Sequence, residues 1–145
     1  MSQDEISFDE AMMRRCILLA KRAQESGNTA VGSVITKGNE IIVEVEEQTP
    51  AGSDIFAHAE LAAVREACRR LGKKHIPEAT LYTTAEPCLM CSFAIREAKI
   101  TRVVIGTPTQ HIGGIHSNYP ILTARDVQRW TDPPIVVWSG LTEEI

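Results

Sequence analysis

His58-Ala59-Glu60 and, some thirty residues later, Pro87-Cys88-Leu89-Met90-Cys91 supply the residue types that a hydrolytic metal site needs. One imidazole and two thiolates suit a tetrahedral zinc ion whose fourth position is left for water. Glu60 lies beside them as a carboxylate that coordination does not require and that can carry protons. Pro87 fits the first turn of a helix, where its missing N–H costs nothing. Cys88 then falls near the positive end of the helix dipole, which favours thiolate over thiol. The three-residue step from Cys88 to Cys91 sets both sulfurs on one helix face. His58 and Glu60 are two apart and would diverge in mid-helix, so both reach one ion only if a helix begins at this point.

Two thiolates and a neutral imidazole cancel the formal charge of Zn²⁺, yet the ion still acidifies a water. Glu60 would take that proton, pass it to a ring nitrogen of the substrate and protonate a departing amine, help worth ~10²–10⁴ in rate. The expected reaction class is hydrolytic loss of ammonia from an amidine-like carbon. A structural zinc site would need a fourth protein ligand, for which His75, His111 and His116 are available at no telling spacing, and it leaves Glu60 and Pro87 without a role. A redox reading of Cys88 and Cys91 lacks thioredoxin-type surroundings.

These residues must be positioned by helices and strands in alternation. An apolar stripe at three- and four-residue steps (Met13, Cys16, Ala20, Ala23) predicts a helix over 8–26, ending at Gly27. Two β-branched runs, 31–35 and 41–45, separated by Lys37-Gly38-Asn39-Glu40, predict a hairpin, and 49–54 reads as a loop. Leu61, Val64, Cys68 and Leu71 mark a second helix stopped by Gly72. A strand over 79–84, a helix from Pro87 to about 98 and a strand over 102–105 follow. Beyond a glycine-containing loop come a short helix near 123–130 and a last strand over 135–138. The pattern predicts an α/β layered sheet with β-α-β crossovers from about residue 79 and, with the short helix as their connection, the last two strands parallel.

The 145 residues read as one domain, 1–145, with 43% hydrophobic and 23% charged residues, a globular composition. No apolar run approaches the ~20 residues of a membrane span, and the N-terminus is acidic where a secretory signal would be basic, so a cytoplasmic protein is expected. Cys16 and Cys68 fall in helical stripes as small buried hydrophobes. Net charge is −4, and Arg14-Arg15, Arg69-Arg70 and Lys73-Lys74 read as solvated faces. Without a positive footprint, a nucleic-acid partner is judged unlikely and a small molecule is favoured.

On HAELAAVREACRRLG and LYTTAEPCLMCSFAI the chain resembles the cytidine deaminase superfamily, in its cytosine, guanine and tRNA-adenosine deaminase branch. The resemblance spans about 32–106; the first segment is similar to bacterial guanine deaminases, and LYTT also to cytosine deaminases. It implies His58, Cys88 and Cys91 as zinc ligands, Glu60 as proton shuttle, the Ala59 N–H as a substrate contact and backbone groups around Glu86 facing the leaving amine. It implies a three-layer α/β/α fold on a five-stranded mixed sheet, and a homodimer. Where many relatives carry Asn, eleven residues before the zinc histidine, this chain has Glu47, which would favour a substrate edge rich in N–H donors or a cationic one, or else lie solvated at a strand end. Phe56 could wall a planar ring or pack in the core. His111 and His116 sit in a loop that shapes the pocket in relatives. The chain ends at Ile145 without a long closing helix, leaving Trp138 or Glu143-Glu144 to cap a pocket. The expected function is deamination of a small free base, nucleoside or related amino-heterocycle, guanine first. The alternatives are tRNA adenosine deamination and, from another class, a zinc-stabilised binding module without activity.

Overall fold

Alternation along each strand sorts the apolar residues onto opposite faces of one sheet. Val34, Tyr82 and Val104 pack with Met13, Cys16 and Ile17, whereas their sequence neighbours Ile35, Leu81 and Val103 pack with Ala63, Val64, Ala67 and Ile95. Successive side chains of a strand point to opposite faces, so both faces of this sheet are buried and each needs a helical cover.

The computed structural model describes residues 2–48 and 54–141. The elements run α1 (Gln3–Glu25), β1 (Gly32–Lys37), β2 (Glu40–Glu46), α2 (Ala59–Leu71), β3 (Ala79–Ala85), α3 (Leu89–Glu97), β4 (Arg102–Thr107) and β5 (Ile135–Trp138). The sheet order is β2-β1-β3-β4-β5. β1 is antiparallel to β2 and β3, while β3, β4 and β5 are mutually parallel. α1 covers one face, and α2 and α3 the other, giving the expected three layers with the last two strands parallel. None of the described helices is long and apolar enough to cross a membrane.

Two expectations change. α1 begins at Gln3, a turn earlier than the apolar stripe suggests. No helix forms near 123–130, which is built from turns and bends. The segment is held by Arg96, a buried side chain of α3 whose guanidinium donates to the carbonyls of Ile121, Leu122, Ala124 and Thr131, within and on either side of it, and stacks 4.4 Å from the Trp130 ring. Several charge-assisted bonds to this irregular backbone offset what a short helix, marginal by itself, would contribute. Arg96 lies on the buried stripe of α3 with Cys91, Ser92 and Ile95, residues that four-residue steps set on one face.

Candidate active site and metal centre

His58 and Cys88 occupy the same structural position in different helices. Each is the N-cap of its helix (α2 and α3) with extended backbone, φ −74° and ψ 141° for His58 and φ −67° and ψ 177° for Cys88, and neither uses its side chain to cap the helix. A serine or aspartate there would turn back onto the first-turn N–H groups. The imidazole and the thiol turn to each other instead. His58 Nδ1 lies 3.4 Å from Cys88 Sγ and 3.5 Å from Cys91 Sγ. Zn–S bonds of ~2.3 Å and Zn–N bonds of ~2.0 Å imply tetrahedral N···S edges of roughly 3.5 Å, so the donor set fits zinc. Among the described residues this is the one group of His, Cys, Asp and Glu side chains close enough to hold a metal. His75, His111 and His116 do not join it, which leaves a tetrahedral ion one coordination position for a non-protein ligand.

Because α2 starts just after His58, Glu60 lies in its first turn and is buried beside the ligands. Burial pushes the Glu60 carboxyl up to about 8, opposed by its own backbone N–H and reinforced by Glu47 and Cys88. Cys88 is pulled down to about 5, chiefly by the hydrogen bond with Cys91, against burial and with help from the backbone N–H groups of Cys91 and Met90. Cys91 is pushed up by the same bond and by burial.

His58, Glu60 and Cys88 line a cavity of about 390 Å³ at the carboxyl end of β3, within the size range of small-molecule sites. Its walls are Thr29 and Val31 before β1, Glu47 after β2, Asp54 and Ile55 before α2, and Ala85, Glu86, Thr109 and Ile112. A larger hollow of about 720 Å³ between the start of α1 and Tyr82 and Arg102 contains none of this chemistry.

Glu47 is buried, and its carboxylate accepts the Ala59 N–H at 2.6 Å. Two expected substrate contacts are thus joined to each other. Burial raises the Glu47 carboxyl, against the lowering effect of that N–H and of His58. The Glu86 backbone is also engaged, its N–H on Thr107 O and its carbonyl accepting from Thr109 Oγ1. Phe56 is 66% exposed and lines a separate depression with Leu61, Arg65 and Arg69, while its neighbour Ile55 faces the metal cavity. His116 bonds the Glu86 carboxylate and packs against Trp138, and His111 is exposed with φ at 65°. Glu143 and Glu144 lie outside the described residues.

The residues missed from sequence are walls: Thr29, Val31, Ile55, Ala85, Thr109 and Ile112. Ile55 and Ile112 offered one signal, as large apolar side chains in loops that the fold leaves 71% and 56% exposed.

The profile of the cytidine and deoxycytidylate deaminase zinc-binding region matches residues 6–107. A tRNA-specific adenosine deaminase of Aquifex aeolicus is 36% identical over 138 residues, covering 93% of this chain and 91% of that protein. A tRNA-specific adenosine deaminase of Agrobacterium fabrum is 33% identical over 131 residues, covering 90% and 84%. Among solved structures, one from work on A-to-I editing by tRNA:A34 deaminases at the wobble position of transfer RNA aligns with TM-score 0.78 and 30% identity, covering 90% of this chain and 98% of that one. A guanine deaminase from Bacillus subtilis aligns with TM-score 0.64 and 33% identity, covering 74% and 66%.

Proposed function

This chain belongs to the cytidine and deoxycytidylate deaminase zinc-binding family, and on that footing we propose that it is a hydrolytic deaminase converting adenosine to inosine in tRNA. The observation that carries the reading is the 36% identity to the Aquifex aeolicus tRNA-specific enzyme over nearly the whole length of both chains. This reverses the preference for free guanine, which rested partly on net charge. An acidic total of −4 weakens a nonspecific hold on RNA but does not bear on how one flipped base fits a cavity.

Bound by His58, Cys88 and Cys91, zinc supplies a Lewis acid that acidifies a water at neutral pH. Glu60 takes the proton of that water and delivers it to the ring nitrogen next to the reacting carbon, as the water oxygen forms its bond to that carbon. The same carboxylate then takes the proton of the new hydroxyl and gives it to the exocyclic amine, so that the carbon–oxygen double bond forms as the carbon–nitrogen bond breaks and ammonia leaves. Water and adenosine become inosine and ammonia, with no redox change. Burial suits Glu60 to this task, since a carboxyl near neutrality can both take and give the proton. The reading includes a homodimer, which sedimentation would register at twice the 16.0 kDa chain mass.

A second reading, guanine deamination, is favoured by 33% identity to the Bacillus subtilis enzyme. Incubating the zinc-loaded chain with tRNA carrying a wobble adenosine, and separately with guanine, decides between them. Inosine in the nuclease-digested RNA supports the first. Ammonia from guanine with no inosine in RNA overturns it in favour of the second.

A further inference from the structure

Glu86 stands one residue beyond β3 with a carboxylate that the metal chemistry does not use. Its side chain is wholly shielded from solvent. One oxygen accepts the N–H groups of Ile115 and His116, both at 2.8 Å; the other accepts the Thr109 N–H at 3.3 Å and the ring N–H of His116. A single buried charge therefore gathers the two ends of the 109–116 segment, and bonds of this charge-assisted kind are about twice as strong as neutral ones. The segment fits closely around it: a Cβ on Gly113 would lie 2.1 Å from Glu86 Oε2 and 2.2 Å from Thr109 O, so only glycine passes there.

The held segment returns to the metal motif. Ile112 O accepts the Leu89 N–H at 2.9 Å, the Gly114 N–H donates to Pro87 O at 2.8 Å, and Gly113 bridges Cys88. It also gives Thr109 and Ile112 to the wall of the cavity that holds Glu60 and the ligands.

We propose that the Glu86 carboxylate is a positioning residue for deamination: it fixes the 109–116 segment as the substrate-facing wall of the metal cavity, and it neither coordinates the metal nor transfers a proton. The effect on substrate rests on the deaminase reading above; the effect on the segment does not. Glutamine at this position keeps the volume but replaces one acceptor oxygen with an N–H₂ donor facing backbone N–H groups.

The test combines amide hydrogen exchange, zinc content and steady-state kinetics on the zinc-loaded chain. In Glu86→Gln, exchange at Ile115 and His116 rises at least tenfold while zinc stays at one per chain and the α2 amides remain protected. KM rises by roughly ten- to a hundredfold with kcat nearly unchanged, the expected result of a misplaced wall. Gly113→Ala, which crowds Glu86 from the other side, reproduces both changes, and Glu86→Asp recovers part of the KM loss. Unchanged exchange in both Glu86→Gln and Gly113→Ala overturns the proposal. So does zinc loss in Glu86→Gln with the rest of the fold intact, or a fall in kcat at constant KM. If the wild-type chain leaves tRNA unconverted, the substrate assignment alone falls, and exchange still decides the role of Glu86.

Discussion

The Glu47 carboxylate lies 2.6 Å from the Ala59 N–H, so the residue that ends the β1–β2 hairpin closes the first turn of the helix that carries His58 and Glu60. The first N–H groups of a helix have no partner within it, and that of Ala59, the first residue after the N-cap His58, is one that an N-cap side chain does not serve, since such a side chain bonds the next two N–H groups. Glu47 fills the capping role from a distance in sequence, next to the site that His58 helps build.

Removing that acceptor should loosen the start of α2. Glu47→Ala is expected to destabilise the chain by about 1–2 kcal/mol, the range for a lost cap or an unsatisfied buried donor. Glu47→Gln and Glu47→Asn retain an acceptor and should lose less. Urea denaturation of the three variants checks the order; a Glu47→Ala variant as stable as wild type would contradict it.

Glu60→Gln should retain zinc at one per chain, because Glu60 lies outside the ligand set, yet lose turnover by ~10²–10⁴. Metal analysis beside single-turnover deamination tests this. Activity near wild type in the zinc-bound variant would remove Glu60 from proton transfer.

Metal removal should act on stability as well as turnover. The three ligands come from two helix starts and no other described residue completes the set, so the ion ties α2 to α3. A ligand that binds only the folded chain at a hundred times its Kd adds about 2.7 kcal/mol. Chelation, or Cys91→Ser, should therefore lower Tm by several degrees, and zinc should restore it only to the chelated wild type.

Arg96→Met should be among the more damaging single changes, at about 2–4 kcal/mol, because it strips one buried and three part-buried carbonyls of a charged donor. Trp130→Ala, which removes the stacked ring and its bond to Glu97, should cost less. Thermal melts with amide exchange over 121–131 separate the two.

Stability should fall in acid partly through Asp9. Burial pushes its carboxyl up, but hydrogen bonds from Arg102 and Tyr82 and the Arg102 charge outweigh that and hold it below the ordinary 3.8. A depressed folded value means that the stabilisation is present above about pH 4 and is lost as pH falls through the lower folded value. The stability gap between wild type and Asp9→Asn should thus be open near pH 7 and close only as pH falls below the ordinary 3.8 and through the lower folded value. A gap independent of pH would show that packing, not charge, sets it.

Much of this molecule was legible as a string. Residue types at close spacing named the metal and its ligands, because coordination chemistry depends on which atoms are offered and two helix starts were enough to aim them. Period-two and period-3.6 patterns gave the alternation of strands and helices in a layered sheet, the family resemblance implied its three layers, and the last two strands are parallel although the helix expected to connect them does not form. What the string left open depends on contacts between segments far apart in sequence. Glu47 became a helix cap rather than a free carboxylate because β2 ends beside Ala59. The irregular 123–130 segment is pinned at Ala124 and on both flanks by Arg96, some thirty residues earlier. Glu86, singled out for its backbone, also folds its carboxylate under the 109–116 segment, where it accepts the N–H groups of Thr109, Ile115 and His116. Spacing along the chain cannot report such pairings, since only the closed tertiary fold brings a buried charge and the N–H or carbonyl groups that neutralise it to within 3 Å or so of each other.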